Sequence, residues 1–167
     1  MPAFPALLAV GYDIGGLSVL FRVNSVLAVF SLLALYYFAR RFFGKKTACI
    51  ALLFLALCPA QIWTARITLT EILAQFLFFT ASYLFAAGWE EERKTASLLG
   101  GILLGFSALA RIDTYIYGLG LLFVAAYLAI WNRRKFSYLL PGVYAYSALA
   151  VFSCLWGLVY VRAYLVD

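Results

Sequence analysis

Apolar residues fall along the chain in six long runs, at 17–39, 47–64, 71–88, 95–110, 114–131 and 137–161. The breaks between them are short and polar, namely RRFFGKK, ARITLT, WEEERK, RID and NRRKF. A helix of about 20 mainly apolar residues matches the hydrocarbon thickness of a bilayer. Helices joined by such tight connections pack up and down, with each backbone polar group satisfied inside its own helix. The pattern predicts an all-α polytopic membrane helix bundle with six transmembrane spans.

Ahead of the first run, PAFPALLAVGYDIGG is moderately apolar, too short to span, and opens on prolines. It reads as an amphipathic helix lying on the outer membrane surface. It has no basic leader of the kind that begins a signal peptide. The first span carries Arg22 and Asn24 near its outer end, where a long arginine side chain reaches the interface by snorkelling. Without an internal repeat, a linker or a low-complexity tract, residues 1–167 read as a single transmembrane domain.

Composition settles the class. Of the residues, 66% are hydrophobic and 12% charged, whereas a soluble domain is about half apolar and a quarter charged. The net charge of +6 matters less than its distribution. The loops on one side hold Arg40, Arg41, Lys45, Lys46, Arg93, Lys94, Arg133, Arg134 and Lys135, against Arg22, Arg66, Arg111 and Arg162 on the other. The richer side is expected to be cytoplasmic, which leaves both termini outside. This basic balance fits orientation and contact with anionic membrane lipids, not nucleic-acid binding. Cys49, Cys58 and Cys154 lie inside apolar runs without metal-ligand spacing, and read as small packing residues. The chain has no histidine, so any chemistry falls to carboxylates, arginines, tyrosines or backbone groups.

The outer side repeats one combination. Arg66 and Glu71 sit in one outer loop, Arg111 and Asp113 in the next, with Asp13 and Arg22 near the start and Arg162 and Asp167 near the end. Two readings stand side by side. In the first, Arg66 and Glu71 are an ordinary interfacial pair, with Thr70 capping a helix and Glu71 in its first turn, while Asp113 caps the helix after RID. In the second, Arg66, Glu71, Arg111 and Asp113 line one pocket above an apolar bundle. Arginine's planar fork grips a phosphate through two bonds, so such a pocket suits a polyprenyl phosphate. No charged residue lies in the middle of a span, and Gln75, Ser82 and Ser107 are the few polar ones there. That counts against an ion-coupled transporter.

The runs PAFPALLAVGYDIGG, LYYFARRFFGKKTACIALLFLALCPAQIWTARITLTEILAQFLFF and LLGGILLGFSALARIDTYIYGLGLL together resemble the GT-C membrane glycosyltransferases. The branch is that of the dolichyl-phosphate-mannose protein mannosyltransferases and the aminoarabinose transferases of lipid A. The resemblance rests on the aromatic-arginine loop FARRFFGKK, the proline late in the next span, the following arginine and glutamate, and the stretch GILLGFSALARID. It implies transfer of a sugar from a polyprenyl-phosphate carrier to an acceptor on the outer face of a bacterial or archaeal cell membrane. It also implies that Arg66 and Arg111 contact the donor phosphate, and that Glu71 is a donor-site carboxylate or, in members that use one, a ligand of a divalent metal ion. Relatives have a further span and an outer loop carrying the catalytic acid ahead of the surface helix, and more spans after the sixth. The chain is therefore expected to be a fragment of a larger GT-C membrane domain and inactive alone. The alternative is a non-catalytic membrane protein, either a small transporter-like bundle or an assembly subunit.

Overall fold

The structure, a computed structural model, describes residues 3–67, 69–111, 113–131 and 133–165. Over these residues the chain is helical: α1 (Ala3–Leu57), α2 (Pro59–Arg66), α3 (Thr70–Glu90), α4 (Lys94–Ala110), α5 (Thr114–Trp131) and α6 (Arg133–Leu165). Three stretches are long and apolar enough to cross a membrane, Phe4–Leu57, Thr70–Glu90 and Phe136–Val159, while Lys94–Ala110 and Thr114–Val124 are apolar but shorter. The fold is the expected all-α membrane bundle. Asp167, expected near Arg162, lies outside the described residues.

The surface helix, the first span and most of the second run together as α1, bent at glycines. Gly16 (φ 66°) and Gly44 (φ 82°) both take positive φ values, which cost glycine nothing and other residues a steric penalty. Gly44 lies in RRFFGKK and is the point of return. Asn24 and Thr64, which are hydrogen-bonded, stand at equal sequence distance on either side of it, as an antiparallel fold-back requires. Buried Ala39 and Ala48 flank the bend, and their small side chains let the two arms come close. The second expected span is interrupted, because Pro59 has no N–H and holds Cys58 extended (ψ 121°). The helix restarts at once as α2.

The centre of the bundle is α4, flanked by α3 and α6. Its buried face is mostly small residues, among them Ser97, Gly100, Gly101, Gly105, Ser107 and Ala108, with Leu104 and Leu109 between them. A Cβ on Gly101 would overlap the Gly142 carbonyl on α6, and one on Gly142 would overlap the Ser97 backbone. Ser97 Oγ donates to the Leu139 carbonyl at 3.1 Å. Between membrane helices, where lipid is as apolar as a side chain, such close backbone packing and interhelical hydrogen bonds replace the hydrophobic driving force. Phe4 at the start of α1 is buried with Leu73, Leu77 and Ala110, which fixes the N-terminal segment across the ends of α3 and α4. α5 hangs on α6. Tyr115 donates to the Ala150 carbonyl at 3.3 Å, and Gly118 leaves room for the Tyr146 hydroxyl. Between α3 and α5 the bundle stays open, bridged where the rings of Phe78 and Tyr117 meet at 4.9 Å.

Candidate functional site

The opening between α3 and α5 begins in a polar mouth. Arg111 follows the last residue of α4, its backbone N–H still donating to the Ser107 carbonyl at 3.0 Å. Three residues on, Thr114 turns the chain into α5, and its Oγ1 donates to the Arg111 carbonyl at 2.6 Å. This tight turn brings the Arg111 guanidinium onto its own neighbour. Nε donates to Asp113 Oδ2 at 3.1 Å, and Nη2 donates to the same oxygen. The remaining arm, Nη1, lies 2.5 Å from Glu71 Oε1 in the first turn of α3. One arginine thus joins two successive loops, as a fork with several donors can and an ammonium cannot.

The electrostatics follow. Arg111 lies between α4 and α5, where its bonds to Asp113, and then to Glu71, outweigh partial burial and raise its pKa above the ordinary arginine value. It stays a cation at every working pH. Two carboxylates against one guanidinium leave the mouth with an excess negative charge. Glu71 Oε2 is buried and has no hydrogen-bond partner among the described residues.

The mouth encloses about 420 Å³ and is lined by Glu71, Gln75, Arg111, Asp113 and Thr114, with Phe78, Phe79 and Tyr117 below them. Phe78 and Tyr117 also line the next cavity, of about 670 Å³. This second space is an apolar trough walled by Phe38 and Phe42 of α1, Phe85 and Trp89 of α3, Leu121 and Val124 of α5, and Leu139 and Val143 of α6. Both volumes fall in the range of small-ligand sites, about 300–1,000 Å³. From Glu71 to Trp89, α3 extends about 27 Å at 1.5 Å per residue, close to the roughly 30 Å of a bilayer's hydrocarbon core. The groove is ionic at one end and hydrocarbon over the rest.

The trough ends at Glu90. There Arg41 Nε lies 2.8 Å from Glu90 Oε2, and its Nη2 lies 2.9 Å from Glu91 Oε1. The guanidinium stands 5.5 Å from the Tyr83 ring centre, in range for a cation–π contact. The acidic turn is self-paired through Arg93 and Glu91 at 3.4 Å, and it is also tied across to α1.

Of the four residues expected to line one pocket, the structure brings together Glu71, Arg111 and Asp113. Arg66 is exposed in the last turn of α2 and is not part of the mouth's lining. Glu71 pairs with Arg111 rather than with Arg66. Neither helix start uses the expected cap. Leu69, with no side-chain bond, stands at the N-cap of α3, and the Asp113 carboxylate is turned to Arg111. Asp13 is exposed on the N-terminal segment. Gln75, Thr114 and Tyr117 join the mouth through helical spacing, four residues after Glu71, one after Asp113 and four after Asp113, a signal present in the sequence.

Among the described residues no three His, Cys, Asp or Glu side chains come together as a metal-binding group. Hard divalent ions such as Mg²⁺ often take only one or two protein carboxylates when a phosphate supplies the rest. Glu71 Oε2, buried and unpartnered, fits that arrangement. The donor set therefore suits a cation carried with a phosphate, not one caged by protein alone.

The family profile described as dolichyl-phosphate-mannose-protein mannosyltransferase matches residues 2–156, which includes every residue that lines the groove. Comparisons with curated proteins and with solved structures give no match.

Proposed function

The chain belongs to the dolichyl-phosphate-mannose-protein mannosyltransferase family, and from that premise we propose that its groove is the donor site of a membrane glycosyltransferase. The donor is a sugar carried on a polyprenyl phosphate. Its phosphate lies at the mouth on Arg111, and its isoprenoid tail follows the trough along α3 and α5. Arg66 is the additional cation that an incoming phosphate meets, since Arg111 already holds two carboxylates. Asp113 orients Arg111, and Glu71 takes a divalent ion when the donor brings one. Such an ion would offset the charge of the leaving phosphate.

The mouth faces the outer side and both termini lie outside, a reading supported by the excess of basic residues on the opposite side. The protein then works in a bacterial or archaeal cell membrane, and the acceptor approaches from outside. In the transfer, the bond between sugar and phosphate breaks, the acceptor's hydroxyl oxygen takes the sugar, and the hydroxyl proton passes to the departing phosphate or to water. The phosphate leaves on its carrier.

One observation carries this reading, namely that the ionic mouth and the apolar trough share Phe78 and Tyr117 as walls. The test is binding of undecaprenyl phosphate and of undecaprenol to the purified chain in nanodiscs. The expected outcome is a preference for the phosphate of about tenfold or more, equivalent to about 1.4 kcal/mol. Equal affinities would overturn the reading, because the mouth would then contribute nothing.

A further inference from the structure

Asn24 lies in α1, within an apolar run, and is fully buried. Its side-chain Nδ2 lies 3.3 Å from the Thr64 carbonyl, 2.5 Å from that of Ile67 and 2.9 Å from that of Leu69. Its neighbour Ser25 donates to the Ala65 carbonyl at 3.0 Å. Carbonyls only accept, so they fix which end of the Asn24 amide faces the turn. Four carbonyls between the end of α2 and the start of α3 thus face two adjacent side chains of another helix and share their three hydrogens, two on Asn24 Nδ2 and one on Ser25 Oγ.

The reason lies in the break at α2. A helix that stops leaves its last carbonyls without intrahelical partners, and a carbonyl left unsatisfied away from water is destabilising. Leu69 N–H bonds locally to the Ile67 carbonyl at 2.9 Å, which tightens the turn and leaves the lone pairs facing α1 to Asn24. The first residues of α3 follow directly, and the second of them is Glu71, which reaches Arg111.

We propose that Asn24 is a positioning residue for the mouth, templating the α2–α3 turn so that Glu71 meets Arg111. This rests on the donor-site reading given above only where ligand is concerned. The contact itself is a matter of the fold. Asn24 touches neither the mouth nor the trough, and it acts through the backbone of the turn.

The experiment compares the wild type with Asn24→Leu, which keeps the branching at Cγ and removes the donor, and with Asn24→Gln, which keeps an amide donor. Each is placed in nanodiscs. Two readouts are taken, hydrogen exchange over residues 64–72 and affinity for undecaprenyl phosphate against undecaprenol. With Mg²⁺ present, where Glu71 can hold the ion beside the phosphate, Asn24→Leu should speed exchange in that segment about tenfold or more and lower the phosphate preference about fivefold, with undecaprenol affinity unchanged. Asn24→Gln should recover most of both. A folded Asn24→Leu with wild-type exchange and wild-type phosphate preference would overturn the proposal. So would faster exchange with the preference intact, which would make Asn24 structural only. If Asn24→Leu does not fold, Asn24→Gln decides alone, since wild-type exchange with a lost preference would remove the link between turn and mouth. If the wild type itself shows no preference for phosphate, the donor reading fails, and the Asn24 proposal is judged by whether Asn24→Leu protects or loses a Glu71→Cys to Arg111→Cys cross-link.

Discussion

Glu71 provides the sharpest test of the mouth, because pairing with Arg111 makes it a competitor for the same guanidinium arm that a phosphate would use. Consider Glu71→Gln. The substitution keeps the shape, removes one negative charge and releases Nη1, which now lies 2.5 Å from Glu71 Oε1. A carboxylate about 5 Å from a bound phosphate would repel it by roughly 0.8 kcal/mol in water and about 3 kcal/mol at an effective dielectric of 20. The side chains of Arg111 and Glu71 are 28% and 42% exposed, so screening places the effect near the lower figure, about 1 kcal/mol. In the presence of a chelator, Glu71→Gln should therefore bind undecaprenyl phosphate about fivefold more tightly than the wild type. Addition of Mg²⁺ should reverse the order of advantage. The wild type, with Glu71 Oε2 free to take the ion, should tighten, while the variant should hardly respond. Titration by intrinsic fluorescence or calorimetry in nanodiscs reads both arms. Weaker binding by the variant in chelator would refute the competition argument and show that Glu71 serves by holding Arg111 in place.

Arg66→Lys keeps the charge but loses the planar fork, and should weaken undecaprenyl phosphate about tenfold without altering undecaprenol binding. An equal loss for both ligands would return Arg66 to a mere interfacial anchor. Gly101→Val forces a side chain onto the Gly142 carbonyl, so thermal unfolding in detergent should report a loss of about 1–3 kcal/mol. An unchanged midpoint would mean that α4 and α6 do not cross there. The Arg111 pKa is raised, so its contribution is present at all pH values below the unfolded arginine value and is lost only as pH rises through the still higher folded value. Binding between about pH 6 and 9 should accordingly follow the ionisation of the ligand phosphate, whose second pKa is about 6, and Arg111→Lys should leave the shape of that profile unchanged. In a background lacking Cys49, Cys58 and Cys154, a membrane-impermeant maleimide added outside sealed cells should label Leu69→Cys and Asp113→Cys but not Phe43→Cys or Lys94→Cys, and the opposite pattern would invert the orientation.

Much of the fold is legible because the bilayer restricts the choices. Long apolar runs can only be helices, and short polar breaks can only be turns. The expected interruptions at ARITLT, WEEERK, RID and NRRKF coincide with the ends of α2, α3, α4 and α5. RRFFGKK differs, because its single glycine carries the reversal inside one helix-like run instead of in a loop. Pro59 is plain in the sequence, yet its consequence is tertiary. Once α2 ends early, its carbonyls need donors, and the nearest are Asn24 and Ser25, some forty residues earlier. Hydropathy treats Asn24 as a blemish in a span, whereas the packed bundle uses it as a fastener.

The mouth illustrates the same limit at the level of partner choice. The residue types and the two loops that carry them are readable from spacing, and so Glu71, Arg111 and Asp113 could be named together in advance. Which arginine faces Glu71 is set by helix phase. Arg66 closes α2 exposed and outside the lining of the mouth, while Glu71, one residue inside α3, shares a face with Gln75 and Phe78 four and seven positions on, as the helical repeat dictates. That face looks at α5, whose first turn is fixed to Arg111 by Thr114. Sequence proximity favoured the five-residue pair, Arg66 and Glu71. The 100° turn per residue carried Glu71 round to a partner forty residues away, and in doing so set the carboxylate and the arginine together in one mouth.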